Sequence, residues 1–261
     1  MSFYQLFTNK PIIGMIHLQP LPGSPLYSGD YQAIVQAALQ DLKALEEGGA
    51  DAFIVENFVD TPYAGTVDPI TFAAMVQITN TIAAQTHLPF GVNVQFNCTA
   101  EEWATAYVTG AQFIRVEAFV ENRVGIHGLS QAAAPALARQ KAAYPANTMI
   151  FADINTKHTF ATVDQPLDFS IHEAVESGAD ALIATGLLTG QSPTVKDVAY
   201  FKELAGKTPV ILGSGVNAKN IRDFFEIADG AIIGSSIKKD GNVKAPVDTE
   251  RLKQLVFALR G

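Results

Sequence analysis

Five ionisable side chains close apolar runs of strand length: His17, Glu56, Arg115, Glu117 and Asp153. Side chains alternate faces along a strand. Gly91, Asn93 and Gln95 therefore share one face, as do Phe113, Arg115 and Glu117, and Phe151, Asp153 and Asn155. The opposite faces (Val92 and Val94; Ile114 and Val116; Ile150, Ala152 and Ile154) are apolar and suited to packing on helices. The polar set must then point inward, with charge rising toward the C-terminal ends of the strands. Burying a charge without a partner costs several kcal/mol, so a purely structural interior would carry Val, Ile or Leu here. The pattern points to acid–base chemistry: a carboxylate beside a guanidinium stays ionised and can act as a base, while a His or Lys can donate a proton. The plainer alternative is an ion pair of Arg115 with Glu117 or Asp153 that only closes the interior.

The expected catalytic residues are Asp153, Glu117, Glu56, His17 and Lys157, and the expected substrate contacts are Asn93, Arg115, Asn155, His158 and Thr185. A lysine in the position of Lys157 could bind an anion, polarise a carbonyl or form a Schiff base, and His158 could titrate near neutrality. His87, His127 and His172 read as structural. Asp60 and Tyr63 could reach a hydroxylated substrate. His17, Glu56, Glu117 and Asp153 are ligand types that would also suit a divalent metal, but they lack tight metal-binding spacing, and no cofactor is required by the sequence.

A second chemistry lies near the C-terminus. Val210-Ile211-Leu212-Gly213-Ser214-Gly215-Val216 and Ala231-Ile232-Ile233-Gly234-Ser235-Ser236 are apolar runs ending in small residues, with one helix-length segment between them. Glycine lets the backbone approach a ligand and turn its N–H groups toward an anion. Two such turns on neighbouring parallel strands can cradle one phosphate, with Gly213, Ser214 and Gly215 on one side and Gly234, Ser235 and Ser236 on the other; Gly186, after an earlier strand, adds a further donor. Ordinary tight turns are the alternative.

These residues need a scaffold of alternating strands and helices. Strand-length runs fall at Ile12–His17, Ala52–Asn57, Phe90–Gln95, Phe113–Phe119, Met149–Ile154, Ala181–Gly186, Pro209–Gly215 and Gly230–Ile237. Helical segments are expected at Tyr31–Glu47, Pro69–Gln85, Thr99–Val108, Ser130–Ala143, Pro166–Ser177, Thr194–Ala205, Asn217–Glu226 and Asp248–Leu259. Gly49-Ala50-Asp51, Gly110-Ala111-Gln112 and Gly178-Ala179-Asp180 repeat one helix-to-strand joint, with Ala228-Asp229-Gly230 as a variant. Eight such units predict a single (β/α)8 barrel over residues 1–261, a TIM barrel of the phosphate-binding type. A doubly wound open sheet is the runner-up, disfavoured by the missing early GxGxxG. Leu18–Asp30, Phe58–Asp68 and Val120–Leu129 read as irregular loops on the C-terminal face, where barrels build their sites.

Composition narrows the class. The 261 residues are 48% hydrophobic and 17% charged, with net charge −8, which argues against a nucleic-acid partner. The single cysteine, Cys98, fits a reducing compartment and a small buried side chain. Neither a signal-peptide pattern nor an apolar run long enough to span a bilayer is seen. The expectation is a soluble cytoplasmic protein with a small phosphorylated ligand, compatible with a homo-oligomer.

At these residues the chain resembles the BtpA family, which includes the SgcQ-type proteins of bacterial sugar operons. The resemblance rests on Lys10-Pro11-Ile12-Ile13-Gly14-Met15-Ile16-His17-Leu18-Gln19-Pro20-Leu21-Pro22-Gly23-Ser24-Pro25, Val55-Glu56-Asn57, Gly91-Val92-Asn93-Val94, Phe113-Ile114-Arg115-Val116, Lys157-His158, Ala184-Thr185-Gly186, Gly213-Ser214-Gly215-Val216 and the run Asp229 to Gly241. It spans nearly the whole chain and implies a TIM barrel related to phosphate-binding barrels. One cyanobacterial member is linked to photosystem I biogenesis as a peripheral thylakoid protein. Gln95-Phe96-Asn97-Cys98 and Glu117 to Arg123 depart from the family pattern at the mouth, where substrate choice is made.

Two functions follow. One is an enzyme acting on a phosphorylated sugar or nucleoside-like molecule, as a lyase, isomerase or glycosyl-bond-cleaving enzyme. The other is a non-catalytic assembly or biogenesis factor for a membrane protein complex, which the family name favours and a charged interior opposes.

Overall fold

The computed structural model describes residues 1–185 and 193–261. Eight parallel strands close into a barrel in chain order: β1 Ile12–His17, β2 Ala52–Glu56, β3 Phe90–Asn93, β4 Phe113–Val116, β5 Met149–Ile154, β6 Ala181–Ala184, β7 Val210–Leu212 and β8 Gly230–Ile233, with β8 pairing back onto β1. Carried once around the circuit from Ile13, the registers return to β1 eight residues away, the shear that gives a (β/α)8 barrel its strand tilt. The closed circuit excludes the open sheet.

A short helix, α1 (Phe3–Leu6), precedes β1; between and after the strands run α2 (Tyr31–Gly48), α3 (Pro69–Ala83), α4 (Thr99–Thr109), α5 (Ala134–Ala143), α6 (Leu167–Glu176), α7 (Val195–Ala205), α8 (Ile221–Phe225) and α9 (Thr249–Arg260). The period-two alternation divides the apolar residues into two cores. Ile12, Ile16, Phe53, Val55 and Val92 face the helices. Ile13, Met15, Ile54, Phe113, Phe151 and Ile183 fill the interior. The bottom of the interior is stoppered by α1, whose Phe3 packs with Phe7 and Phe151, while Phe7 meets Phe113, itself stacked on Phe151 at 4.5 Å. With the lower layers apolar and stoppered, the inward polar residues can only gather at the C-terminal mouth.

The repeated joints brace the opposite end. Gly49, Gly110 and Gly178 adopt positive φ just past their helices, the left-handed stop that glycine allows. The residue two positions on then hydrogen-bonds the neighbouring strand through its side chain: Asp51 accepts from the Ile12 N–H, Gln112 from Phe90, Asp180 from Ile150 and, in the variant joint, Asp229 from Val210, at 2.7–2.8 Å. Each also donates its own N–H back to that strand. Every even strand thus latches the odd strand before it, at the face that supports stability rather than chemistry.

Two expectations change. Asn217–Glu226 is helical only over Ile221–Phe225, because Asn217 and Asn220 accept backbone N–H bonds with their side chains and so compete with helix formation. Val120–Leu129 is not irregular: Arg123–Gly125 and Gly128–Ser130 form a hairpin, and Phe160–Ala161 joins it as a third strand. Gly128, at φ 90°, permits the tight turn around Ile126 and His127. Among the described residues, no helix is long and apolar enough to cross a membrane.

Candidate active site at the barrel mouth

A cavity of about 560 Å³ opens over the barrel axis, and its lining includes His17, Glu56, Arg115, Glu117 and Asp153. Lys157, His158, Thr185 and both small-residue turns, Gly213–Gly215 and Gly234–Ser236, line the same space. The charged ladder and the candidate anion cradle therefore face one ligand volume.

The floor is a hydrogen-bonded network. Arg115 grips Asp153 with two parallel bonds, Nε to Oδ2 at 2.8 Å and Nη2 to Oδ1 at 3.1 Å. Asp153 Oδ1 also accepts from the Thr185 hydroxyl at 2.8 Å, and the Ser214 hydroxyl donates to the Thr185 carbonyl at 2.7 Å. A chain of contacts thus runs from β4 through β5 and β6 to the first glycine turn. Burial works against the Arg115 charge, but Asp153, followed by Glu56 and Glu117, outweighs it and raises the guanidinium pKa further. Arg115 is a fixed cation.

Glu56 and Glu117 are driven in opposite directions. Burial pushes Glu56 up, but the His17 hydrogen bond and charge, with Arg115 and Gln95, outweigh it and hold the carboxyl below its usual value. His17 Nε2 lies 3.4 Å from Glu56 Oε2, while its Nδ1 lies 3.0 Å from the Val243 carbonyl. Gln95 Nε2 donates to the other Glu56 oxygen. Glu117 is pushed up to about 8, chiefly by burial and further by the charges of Asp153 and Glu56, against the pull of Arg115 and Asn93. Near neutral pH the mouth therefore holds one ionised and one predominantly protonated glutamate, the division of labour that acid–base chemistry needs. Lys157 is lowered by burial and by the Arg115 charge, which eases proton release from its ammonium group.

The expected cradle residues all reach the cavity except Gly186, which lies outside the described residues. Gly215 has φ 78°. Among the described residues, no acceptor pairs with the N–H groups of Gly215, Ser235 or Ser236. A Cβ at Gly213 would stand 2.6 Å from both Ile183 and Thr185, so glycine is required there for close packing of the turn.

Two expected substrate contacts are placed elsewhere. Asn93 points inward as its strand phase requires, but it is fully buried beneath the cavity lining. Its Nδ2 is engaged by Glu102, Glu117 and the Arg115 carbonyl. Asn155 lies beyond the end of β5 in a left-handed conformation, φ 54°, so the strand alternation does not extend to it. Its Oδ1 accepts from Arg123, and it lines a separate cavity beside Glu121 and Arg123.

Tyr63 lines the mouth, where it was expected to reach a substrate. Phe58, Phe96, Ile126 and His127 also line it, with no site role expected of them. His127, read as structural, stacks on Phe96 at 4.1 Å. Arg123 does not touch the cavity but organises its rim: Nη2 donates to the Thr156 and Thr159 carbonyls and Nε to the Thr159 hydroxyl, bracing the loop that carries Lys157 and His158. A lone arginine in a loop gives no sequence signal for this; only the hairpin brings it there. Cys98 is buried and its thiol is pushed up to about 12, chiefly by burial, so it is no nucleophile. Among the described residues, no three His, Cys, Asp or Glu side chains group to hold a metal.

Known proteins resemble this chain along nearly its whole length. The chain is 39% identical to a relative from Methanocaldococcus jannaschii over 252 residues, 96% of this chain and 95% of that one. It is 34% identical over 262 residues to the photosystem I biogenesis protein BtpA of Synechocystis, covering 99% of this chain and 91% of the relative. Among solved structures, the fold resembles phosphoribosyl anthranilate isomerase from Thermococcus kodakaraensis, with TM-score 0.58, 14% identity and coverage of 97% and 99%. It also resembles N-acetylmannosamine-6-phosphate 2-epimerase from Clostridium perfringens, with TM-score 0.59, 19% identity and coverage of 90% and 91%. These likenesses establish the TIM-barrel fold. The model of the BtpA family matches residues 8–261, and the chain belongs to that family.

Proposed function

We propose that the protein is an enzyme acting on a phosphorylated sugar or nucleoside-like small molecule, by lyase, isomerase or glycosyl-bond chemistry. The observation that carries this reading is that one cavity joins the two glycine turns to a pair of glutamates, Glu56 and Glu117, whose surroundings drive their carboxyls in opposite directions. The phosphate would dock on the N–H groups of Gly215, Ser235 and Ser236 after β7 and β8, where phosphate-binding barrels commonly hold it. The reacting carbons would then lie over the axis. Glu117 serves as proton donor, Glu56 as acceptor with His17 modulating it, and Arg115 stabilises negative charge that develops on an oxygen. Lys157 is a second proton donor at the rim. Two structural neighbours have phosphorylated compounds in their names, in keeping with this assignment.

The test is turnover. Purified protein is incubated with a panel of sugar phosphates and nucleoside monophosphates, and products are followed by proton and phosphorus NMR. A substrate whose conversion is lost in Glu117→Gln supports the proposal; conversion unaffected by that change would remove the assigned acid.

A second reading, a non-catalytic biogenesis factor, is favoured by the name of the Synechocystis relative. It expects partner proteins in a pulldown and no conversion of any phosphorylated compound.

A further inference from the structure

The mouth cavity is chemically two-sided. β7 and β8 bring Gly213–Gly215 and Gly234–Ser236 to one side. On the far side of the closed strand order, the segments after β2, β3 and β4 bring Phe58, Tyr63, Phe96, Ile126 and His127. The Phe96 and His127 rings are stacked at 4.1 Å and 20°, and Phe58 stacks on His17 at 4.6 Å and 22°. Ile126 is 83% exposed and yet lines the cavity. A phosphorylated sugar alone can lay the C–H face of one ring on an aromatic side chain, but it leaves most of this wall uncovered. Its hydroxyls seek hydrogen-bond partners, whereas this wall presents flat apolar surface. The cavity, at about 560 Å³, is in the usual range for sites that enclose a ligand larger than one sugar ring.

We infer that the ligand carries a flat heteroaromatic group in addition to its phosphorylated sugar, and so belongs to the nucleoside 5′-monophosphate class. The heterocycle lies against the Phe96, His127 and Ile126 wall while the phosphate occupies the turns after β7 and β8. The sugar is then held between them, with the bond joining it to the heterocycle above Glu56 and Glu117. Stacking on aromatic side chains tolerates any base because every base has a π-face, so the wall selects for a planar group rather than for one base. This inference rests on the phosphorylated-ligand reading above and narrows it.

Calorimetric titration of the full chain at pH 7 with ribose 5-phosphate, adenosine 5′-monophosphate, uridine 5′-monophosphate and inorganic phosphate tests it. Both nucleotides should bind at least about tenfold more tightly than ribose 5-phosphate. Phe96→Leu should remove most of that advantage while changing ribose 5-phosphate affinity less than about twofold. Ile126→Ser, on an exposed side chain that the fold does not need, should lower nucleotide affinity in the same direction and guards against misfolding of the Phe96 variant. If ribose 5-phosphate binds as tightly as the nucleotides, or the variants weaken all ligands equally, the planar group is wrong while the phosphorylated-ligand reading stands. If no phosphate ester binds, both fall.

Discussion

Glu102 and Glu117 share one amide: Asn93 Nδ2 lies 2.9 Å from Glu102 Oε1 and 2.9 Å from Glu117 Oε1. The same nitrogen is also 2.9 Å from the Arg115 carbonyl, so its two hydrogens face three acceptors. Both carboxyls are buried, and Glu102 is raised well above its usual value, by burial first and then by Glu117. The amide donates to both carboxyls and so favours their ionised forms, but burial outweighs it and raises both. The Asn93 layer beneath the mouth therefore positions Glu117 and tempers its raised pKa, which burial, Asp153 and Glu56 cause.

That relationship has a pH signature. Glu117 binds its proton more tightly in the folded chain, at about 8 against 4.5 for an unperturbed carboxyl. A group with a raised folded pKa contributes stability that is full below the unfolded value and is lost as pH rises through the folded one. Stability should thus fall from pH 5 to pH 8 by up to a few kcal/mol. Glu117→Gln should flatten this slope, melting above wild type at pH 8, while turnover of any substrate drops by about a hundredfold or more. Melting curves across that range, alongside rates, check both arms; a variant with the wild-type slope would show that Glu117 is already ionised at pH 5.

Asp153 accepts two bonds from Arg115 and one from Thr185, which leaves it poorly placed to take a proton from a ligand. In Asp153→Asn the amide keeps only one acceptor oxygen, and one guanidinium donor loses its partner. We expect the variant to fold but to lose about 3–5 kcal/mol, the scale for breaking a buried pair. Thermal melts and single-turnover rates on one preparation decide the matter. An unchanged melt with turnover down about a hundredfold would instead make Asp153 a catalytic base.

How much of this was legible in the sequence follows from which signals are local. Strand alternation is local, so the inward ladder through Arg115, Glu117 and Asp153 could be read directly, and the Gly-Ala-Asp joints marked strand starts. What escaped depends on contacts between distant segments. Phe3 gives no strand or helix pattern of its own and acquires its role only against Phe7 and Phe151. His127 looks like any loop histidine until the hairpin lays it on Phe96. Asn155 shows the limit of alternation itself, which ends where the strand does.

The even-strand latches predict a stability effect without a binding effect. Asp180 accepts from the Ile150 N–H at 2.8 Å at the base of β5. Asp180→Ala should leave that donor without its side-chain partner and destabilise the barrel by about 1–3 kcal/mol. Urea titration should show a lower midpoint with an unchanged slope. Ligand affinity, set at the other end of the barrel, should hold; a loss of affinity in fully folded protein would contradict the separation of the two faces.

Gly215 allows the anion cradle to be tested against its own backbone strain. Gly215 and Gly29 both have positive φ, 78° and 88°, so alanine is strained at either position by roughly 1 kcal/mol. They differ in place. Gly215 lines the mouth, and a Cβ at Gly29 would meet nothing within 4 Å. Gly215→Ala and Gly29→Ala should therefore lose similar stability. Only the Gly215 change should weaken phosphate-ester binding, by about tenfold or about 1.4 kcal/mol, because the added methyl group disturbs the backbone approach to the anion. Calorimetry with one phosphate ester on wild type and both variants makes the comparison. Equal affinities in all three would leave the turn after β7 as a packing device and move the anion site elsewhere in the mouth.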